Sequence, residues 1–321
     1  MKTKGKILDL LQAGDFVSGQ TIATHLNISR SAVSQSISSL VLAGVEVHSV
    51  HGRGYRLVSP ISKLCAKDIL SELETQCSEN LPSFIILEEV DSTNEYLKRN
   101  ARNSTSPKFC FAEHQTHGKG RQGRTWLNTP YRSMLMSFRF ELVGGAIASA
   151  GLSLAIGVAV QNVLVRHGFN KTGLKWPNDI MHGSQKLGGV LIEMFGEIGG
   201  SCTCIIGVGL NVTVEDDLNA QLERQVGGLS DLTETLVNRN FLAASLMMEL
   251  QDAVINFEKF GFAWFSDDWH KNHVFKDKLV KVQAGNKVFE GIASGVSPDG
   301  SLLLSDSHGQ IHKITTGEVL A

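Results

Sequence analysis

The residues best suited to chemistry fall in three clusters. The first is Gly118-Lys119-Gly120-Arg121-Gln122-Gly123-Arg124. Its glycines let backbone amides come close to an anion, and its cations supply charge, so the segment fits a phosphate or a carboxylate. A solvated basic loop would have the same composition. The segment lacks the Gly-Lys-Ser/Thr of a P-loop, and no third glycine follows at the spacing of a dinucleotide fingerprint. The second cluster is Lys175-Trp176-Pro177-Asn178-Asp179, followed by Lys186-Leu187-Gly188-Gly189-Val190. A lysine entering an apolar strand needs a partner charge if it is buried; at a sheet edge it would only discourage aggregation. The third cluster, Asp91-Ser92-Thr93-Asn94, lies between a strand and a helix. It reads as an N-cap whose hydroxyls can also bond a polar ring. His114 and His117 flank the first cluster and are expected to be exposed. No Ser or Cys nucleophile paired with a base is visible. Cations and backbone donors without a nucleophile suit a reaction whose substrates bring both nucleophile and leaving group. The protein then supplies position and charge stabilisation.

These clusters need a scaffold. From about Ser83, segments rich in β-branched and aromatic residues (FIILEEV, KFCFAEHQ, SMLMSFRFEL, GLKW, KLGGVLIEMF, CTCIIGVGL) read as strands. Residues 95–101 and 151–166 read as helices, the second closed by Gly168. A further helix over about 240–260 carries Leu242, Leu246, Met247 and Leu250, and an acidic loop holds Glu215, Asp216 and Asp217. The fold class is α+β, with a mixed-sheet domain over residues 65–272. Residues 273–321 form four short strands around turns at Gly285, Gly300 and Gly309, a small barrel too short to hold an active site alone.

The first 64 residues form their own domain. Ile7, Leu8 and Leu11 repeat at helical spacing. A short helix over 21–26 follows, then a turn at Asn27, then a third helix capped by Ser29. That helix carries the apolar stripe Val33, Ile37, Leu40 and Val41 and stops at Gly44. VEVHSV and YRLV make a hairpin around residues 51–54. Three helices and a hairpin form a winged helix-turn-helix; a small packing or dimerisation domain is the other reading. DNA would be met by residues 19–38, with Gly19 and Ser38 as the ends. Arg30, Ser31, Ser34 and Gln35 would face the major groove, and Arg53 in the wing would meet the backbone. Residues 1–60 carry a net +3, and residues 34–43 carry no charge, so affinity would lean on few phosphate contacts.

Composition sets limits. The chain has 321 residues, is 42% hydrophobic and 19% charged, and has a net charge of −2, so whole-chain charge says nothing about nucleic acid. Five cysteines in no framework spacing (Cys65, Cys77, Cys110, Cys202, Cys204) point to reduced thiols and a cytoplasmic protein. Cys202 and Cys204 share a strand face without a second pair for zinc. The N-terminus lacks a signal peptide's pattern, and the most apolar window, residues 152–165, is too short to span a membrane.

Together DSTN at 91–94, GKGRQGRTW at 118–126, KWPND at 175–179, KLGGVLIE at 186–193 and GVGLNV at 207–212 resemble the biotin protein ligase family. The resemblance covers essentially the whole chain. With the N-terminal module and the GRGYRL wing, it extends to the bifunctional members that also repress biotin synthesis genes. It implies a central sheet related to class II aminoacyl-tRNA synthetases and an SH3-like C-terminal barrel. It implies a biotin pocket of Ser92, Thr93, Asn94, Gln115, Gly118, Lys119, Gly120, Arg121, Trp126 and Lys186. Asn178, Lys186 and Asn211 would lie near the nucleotide, and Mg²⁺ would arrive with ATP near Asp179. Arg121, Lys186 and Asp179 would be the catalytic groups. The implied intermediate and corepressor is biotinoyl-5′-AMP, and the implied acceptor is the biotin carboxyl carrier protein of acetyl-CoA carboxylase. The implied repressor is an adenylate-bound homodimer on operator DNA, with no membrane partner. A biotin-sensing repressor without catalysis and a lipoate-type ligase are the competing readings.

Overall fold

The computed structural model describes residues 3–76, 81–101, 103, 107–196, 202–214 and 225–320. Cys77 and the acidic segment at 215–217 lie outside them.

The N-terminal unit has helices α1 (Thr3–Leu11), α2 (Gly19–Leu26) and α3 (Arg30–Leu42), then strands β1 (Val47–Val50) and β2 (Gly54–Leu57) paired antiparallel. Ser18 and Ser29 cap α2 and α3 by accepting from the backbone N–H of Thr21 and Ala32. Asn27 ends α2 in the left-handed region, where its short polar side chain is tolerated. Ile7, Leu8, Leu11, Ile22, Val33, Ile37 and Leu40 close the core. Val41 departs from the expected stripe: it is 48% exposed, because Leu40 and Val45 already fill that side.

A helix not anticipated from sequence, α4 (Ala66–Gln76), comes next and packs Ile69 and Leu73 into the main core. The central sheet comprises β3 (Phe84–Leu87), β4 (Phe109–Ala112), β5 (Ser133–Leu142), β6 (Thr172–Lys175), β7 (Asp179–His182), β8 (Gln185–Gly196) and β9 (Cys202–Asn211). Its order is β3-β4-β5-β9-β8-β7-β6, parallel between β3 and β4 and antiparallel elsewhere. The helices α6 (Leu152–Arg166) and α7 (Arg239–Phe260) pack on one face, with Met134, Met136, Ile206, Val208 and Leu210 beneath them. Each such fully buried side chain contributes about 1.5–3 kcal/mol. The short α5 (Thr93–Arg99) lies over the other face, where its Leu97 packs with Cys110 and Ile205. After α8 (Ser266–Asn272), the C-terminal sheet holds β10 (Leu279–Ala284), β11 (Lys287–Val296), β12 (Leu302–Ser305), β13 (Ile311–Ile314) and β14 (Glu318–Leu320), in the order β13-β12-β11-β10-β14. The fifth strand, absent from the sequence reading, pairs Val319 with Val282 and is too short for its pattern to show.

The N-terminal unit is held by buried polar contacts rather than a free linker. Arg239 is fully buried. It donates to Glu113 at 2.6 Å, to the Ser62 carbonyl at 2.8 Å and to the Ser133 carbonyl at 2.7 Å. Arg132 donates to the Pro60 carbonyl at 2.8 Å. Tyr131, from the central domain, sits within the N-terminal core. A charge buried in this way persists only when it is paired.

Candidate functional site

The three clusters meet in one cleft of about 910 Å³, open to solvent, at the face of the sheet that α5 covers. Its floor is made of glycines for a steric reason. A Cβ on Gly207 would lie 2.6 Å from Asn94 Oδ1, and one on Gly209 would lie 2.9 Å from the Trp126 indole. Gly209 pairs with Leu135 and Gly189, and Gly207 pairs with Ser137 and Leu191, so these positions share one face. Removing side chains there lets Asn94 and Trp126 lie flat on the backbone.

At one end the cleft is polar but uncharged. Ser92 holds the N-cap position of α5, but its side chain caps nothing, so the expected cap serves only in backbone geometry. The Thr93 N–H and hydroxyl both donate to Gln115 Oε1, at 2.7 and 3.0 Å. Asn128 fixes the backbone of Gln115, accepting from its N–H at 3.1 Å and donating to its carbonyl at 2.8 Å. His114, expected to be exposed, is half-buried and bonds Asn128 through Nδ1 at 2.9 Å; His117 is exposed as expected.

At the other end the cleft is cationic. Lys186 is ion-paired with Asp179, and each side chain is only 12% exposed. The lysine does meet a partner charge, as a half-buried cation must. Its Nζ also stands 5.8 Å from the Trp126 ring centroid. Arg121 donates to Asn178 Oδ1 at 3.2 Å, and Asn178 in turn donates to the Val190 carbonyl at 2.8 Å. No carboxylate pairs with Arg121 among the described residues. Burial holds its guanidinium below the usual arginine range, partly offset by Asp179. Lys175 lines the cleft as well, 5.9 Å from the Phe275 ring centroid. The buried Trp176 donates from Nε1 to the Gly300 carbonyl at 3.0 Å, which ties this cluster to the C-terminal sheet.

The Gly-rich loop folds back on itself. Trp126 N–H donates to the Gly118 carbonyl at 2.9 Å, and Gly120 N–H donates to the Arg124 carbonyl at 2.7 Å. Gln122 and Gly123 turn it with φ of 56° and 74°. Gly118 is sterically required, since a Cβ there would sit 2.5 Å from the Trp126 carbonyl oxygen. Two of the loop's three charges are spent on clamps. Lys119 pairs with Glu95, which raises the lysine and lowers the carboxyl from their ordinary pKa values. Arg124 pairs with Glu318 of β14. The C-terminal sheet therefore contributes to the cleft through Gly317 and Glu318, which its strand pattern did not reveal.

Of the residues singled out from sequence, Ser92, Thr93, Asn94, Gln115, Lys119, Gly120, Arg121, Trp126, Asn178, Asp179 and Lys186 all line this space. Gly118 and Asn211 lie outside its lining; Asn211 is buried, and its amide donates to the Gly227 carbonyl at 3.3 Å. Ser137 and Glu193 were missed; they lie outside the lining, touch Asn94 from neighbouring strands, and carry no local motif. On the N-terminal unit, Arg30, Ser31, Ser34, Gln35 and Ser38 form the exposed face of α3. Arg53 and Arg56 stack on Phe16, at 4.5 and 4.9 Å from its centroid, which steadies the wing. No described helix is long and apolar enough to cross a membrane.

The chain is similar to known proteins. Residues 86–211 match the biotin/lipoate A/B protein ligase family, residues 4–56 an HTH domain, and residues 277–320 the biotin protein ligase C terminal domain. The bifunctional ligase/repressor BirA of Escherichia coli K12 is 36% identical over 98% of this chain and 95% of its own length. That of Bacillus subtilis is 28% identical over 96% and 95%. The solved biotin protein ligase of Aquifex aeolicus, in complex with biotin and ATP, superposes with a TM-score of 0.63 at 26% identity. It covers 75% of this chain and 98% of that one.

Proposed function

This chain belongs to the biotin protein ligase family, in its bifunctional ligase/repressor branch, and from that premise we propose how its cleft works. It adenylates biotin with ATP and passes the biotinoyl group to a lysine of an acceptor protein. The observation that carries the reading is one continuous cleft with a neutral polar end and a cationic end. The neutral end, built from Ser92, Thr93, Asn94 and Gln115, suits the fused ureido ring. The cationic end, with Arg121, Lys186 and Lys175, suits the biotin carboxylate and the phosphates of ATP.

In the first step a carboxylate oxygen attacks the α-phosphorus and pyrophosphate leaves. Two anions must approach, and at an effective dielectric of 20 their repulsion at 4 Å is about 4 kcal/mol. Lys186 and Arg121 are held in place before the substrates arrive, so they offset this repulsion without reorganising. Asp179 orients Lys186, and Asn178 orients Arg121. One half-buried carboxylate beside bound phosphates is also a fitting donor set for Mg²⁺, which keeps most of its ligands from water and phosphate. Asp179 would hold it, and the ion would add Lewis-acid stabilisation of phosphate charge. In the second step the acceptor amine attacks the acyl carbon of biotinoyl-5′-AMP and AMP departs. The loop at 118–124, clamped by Glu95 and Glu318, covers the mixed anhydride and keeps water away.

The N-terminal unit supports a second role as a repressor. A homodimer carrying the adenylate would place two α3 helices on paired half-sites of operator DNA. The uncharged stretch at 34–43 leaves few phosphate contacts, with Arg53 of the wing on the backbone and Arg30 facing the groove. The acceptor is a biotin carboxyl carrier domain, and the cytoplasm is where it would be met. Residues 1–64, 65–272 and 273–321 divide these tasks. Biotin-dependent exchange of pyrophosphate into ATP tests the first step directly. A protein that binds biotin but exchanges no pyrophosphate would be a sensing repressor, and one that exchanges with lipoate instead would be a lipoate-type ligase.

A further inference from the structure

The neutral end of the cleft holds a chain of hydrogen bonds that begins on a carboxylate. Asn94 Nδ2 donates to Glu193 Oε2 at 2.7 Å. Asn94 Oδ1 lies 2.5 Å from the Ser137 hydroxyl, which in turn lies 2.6 Å from the Thr93 hydroxyl. Thr93 reaches Gln115 Oε1 at 3.0 Å. Ser137 is fully buried, and Asn94 is 4% exposed. Glu193 is half-buried on β8 and lies outside the cleft that Asn94 lines.

An ionised carboxylate only accepts. Glu193 therefore dictates that the amide nitrogen of Asn94 turns away from the sheet centre and the carbonyl turns toward Ser137. With Asn94 Oδ1 fixed as the acceptor, Ser137 spends its one proton on it. The Ser137 oxygen also faces the Thr93 hydroxyl, whose own proton goes to Gln115 Oε1. An amide alone has no such preference, since its two ends are nearly the same size. We infer that Glu193 is a positioning residue that sets the direction of this chain, so that Asn94 offers a carbonyl acceptor to the ligand ring and the pocket selects a ring N–H at that place. The inference rests on the biotin reading: a ureido ring carries N–H groups that such an acceptor satisfies. It also explains why Gly207 must lack a side chain, since its Cβ position lies against Asn94 Oδ1.

The test compares two ligands on the full-length protein by calorimetry: biotin, and its isostere in which one ureido N–H is replaced by ring oxygen (a cyclic carbamate). A site built to accept an N–H rejects an analogue that brings a lone pair instead, by large factors. The parent is expected to prefer biotin at least 100-fold. Glu193→Met keeps the bulk and removes the acceptor; the Asn94 amide can then turn over, and the preference should fall at least tenfold. A variant that weakens both ligands equally would make Glu193 merely structural and overturn the inference. A second pair guards against misfolding. Asn94→Asp alone sets two acceptors face to face and should lose biotin. Adding Glu193→Gln restores a donor beneath the new carboxylate and should recover at least tenfold in affinity. No recovery would also overturn the inference. A parent that binds neither ligand would instead refute the biotin reading itself.

Discussion

Replacing Lys186 by alanine separates what the cleft does for catalysis from what it does for stability. Lys186 and Asp179 are each 12% exposed and face one another. Removing the cation has two consequences. The approach of carboxylate to phosphate loses a charge worth about 4 kcal/mol at 4 Å and an effective dielectric of 20, which is roughly a thousandfold in rate. Asp179 is also left uncompensated, which costs on the order of 3 kcal/mol of folding stability for a largely buried pair. The double variant Lys186→Met with Asp179→Asn removes both charges. It should recover most of the stability but none of the rate. Biotin-dependent ATP–pyrophosphate exchange reads the first quantity, and the urea midpoint at constant slope reads the second. Exchange within tenfold of the parent for Lys186→Ala, or restored exchange in the double variant, would refute the assigned role of the lysine.

Four further outcomes are expected. Glu318→Gln breaks the pair with Arg124; both partners are partly exposed, so stability should change by less than about 1 kcal/mol, while a chase with unlabelled ligand should show the adenylate leaving severalfold faster. Gly209→Ala drives a methyl into the Trp126 indole, 2.9 Å away, and calorimetry should show biotin affinity falling at least tenfold in a folded protein. His273 is buried with neither ring nitrogen bonded, and burial lowers its pKa to about 4; the unfolded chain takes up this proton near pH 6.5 and the folded one does not, so stability falls as pH drops from 6.5 toward 4. Lowering the pH from 7 to 5 should therefore cost the parent about 2 kcal/mol more than His273→Leu. Arg53→Ala should weaken operator binding across sequences and reduce the slope of log affinity against log salt by about one in a salt titration.

The pieces legible in the sequence are those fixed by local chemistry. Ser29, Val33, Ile37 and Gly44 are a cap, a stripe and a stop, and α3 forms where they place it. The close approach of Asn94 to Gly207 and of Trp126 to Gly209 carries no such local signal. What escaped is what the sheet brings together across distance. Arg239 and Glu113 form the buried anchor of the N-terminal unit while lying 126 positions apart. Glu193 meets Asn94 across 99 positions, and Glu318 meets Arg124 across 194. None of the three pairs has periodicity or spacing to announce it. Asn211, which the resemblance placed near the nucleotide, is buried, with its amide donating to the Gly227 carbonyl.

The most direct measurement incubates the full-length protein with labelled biotin, ATP, Mg²⁺ and a biotin carboxyl carrier domain, and follows label on the carrier's lysine. Covalent transfer that requires ATP, and that vanishes with Lys186→Ala while biotin binding persists, is the predicted result. A folded protein that binds biotin yet transfers none under these conditions would contradict it.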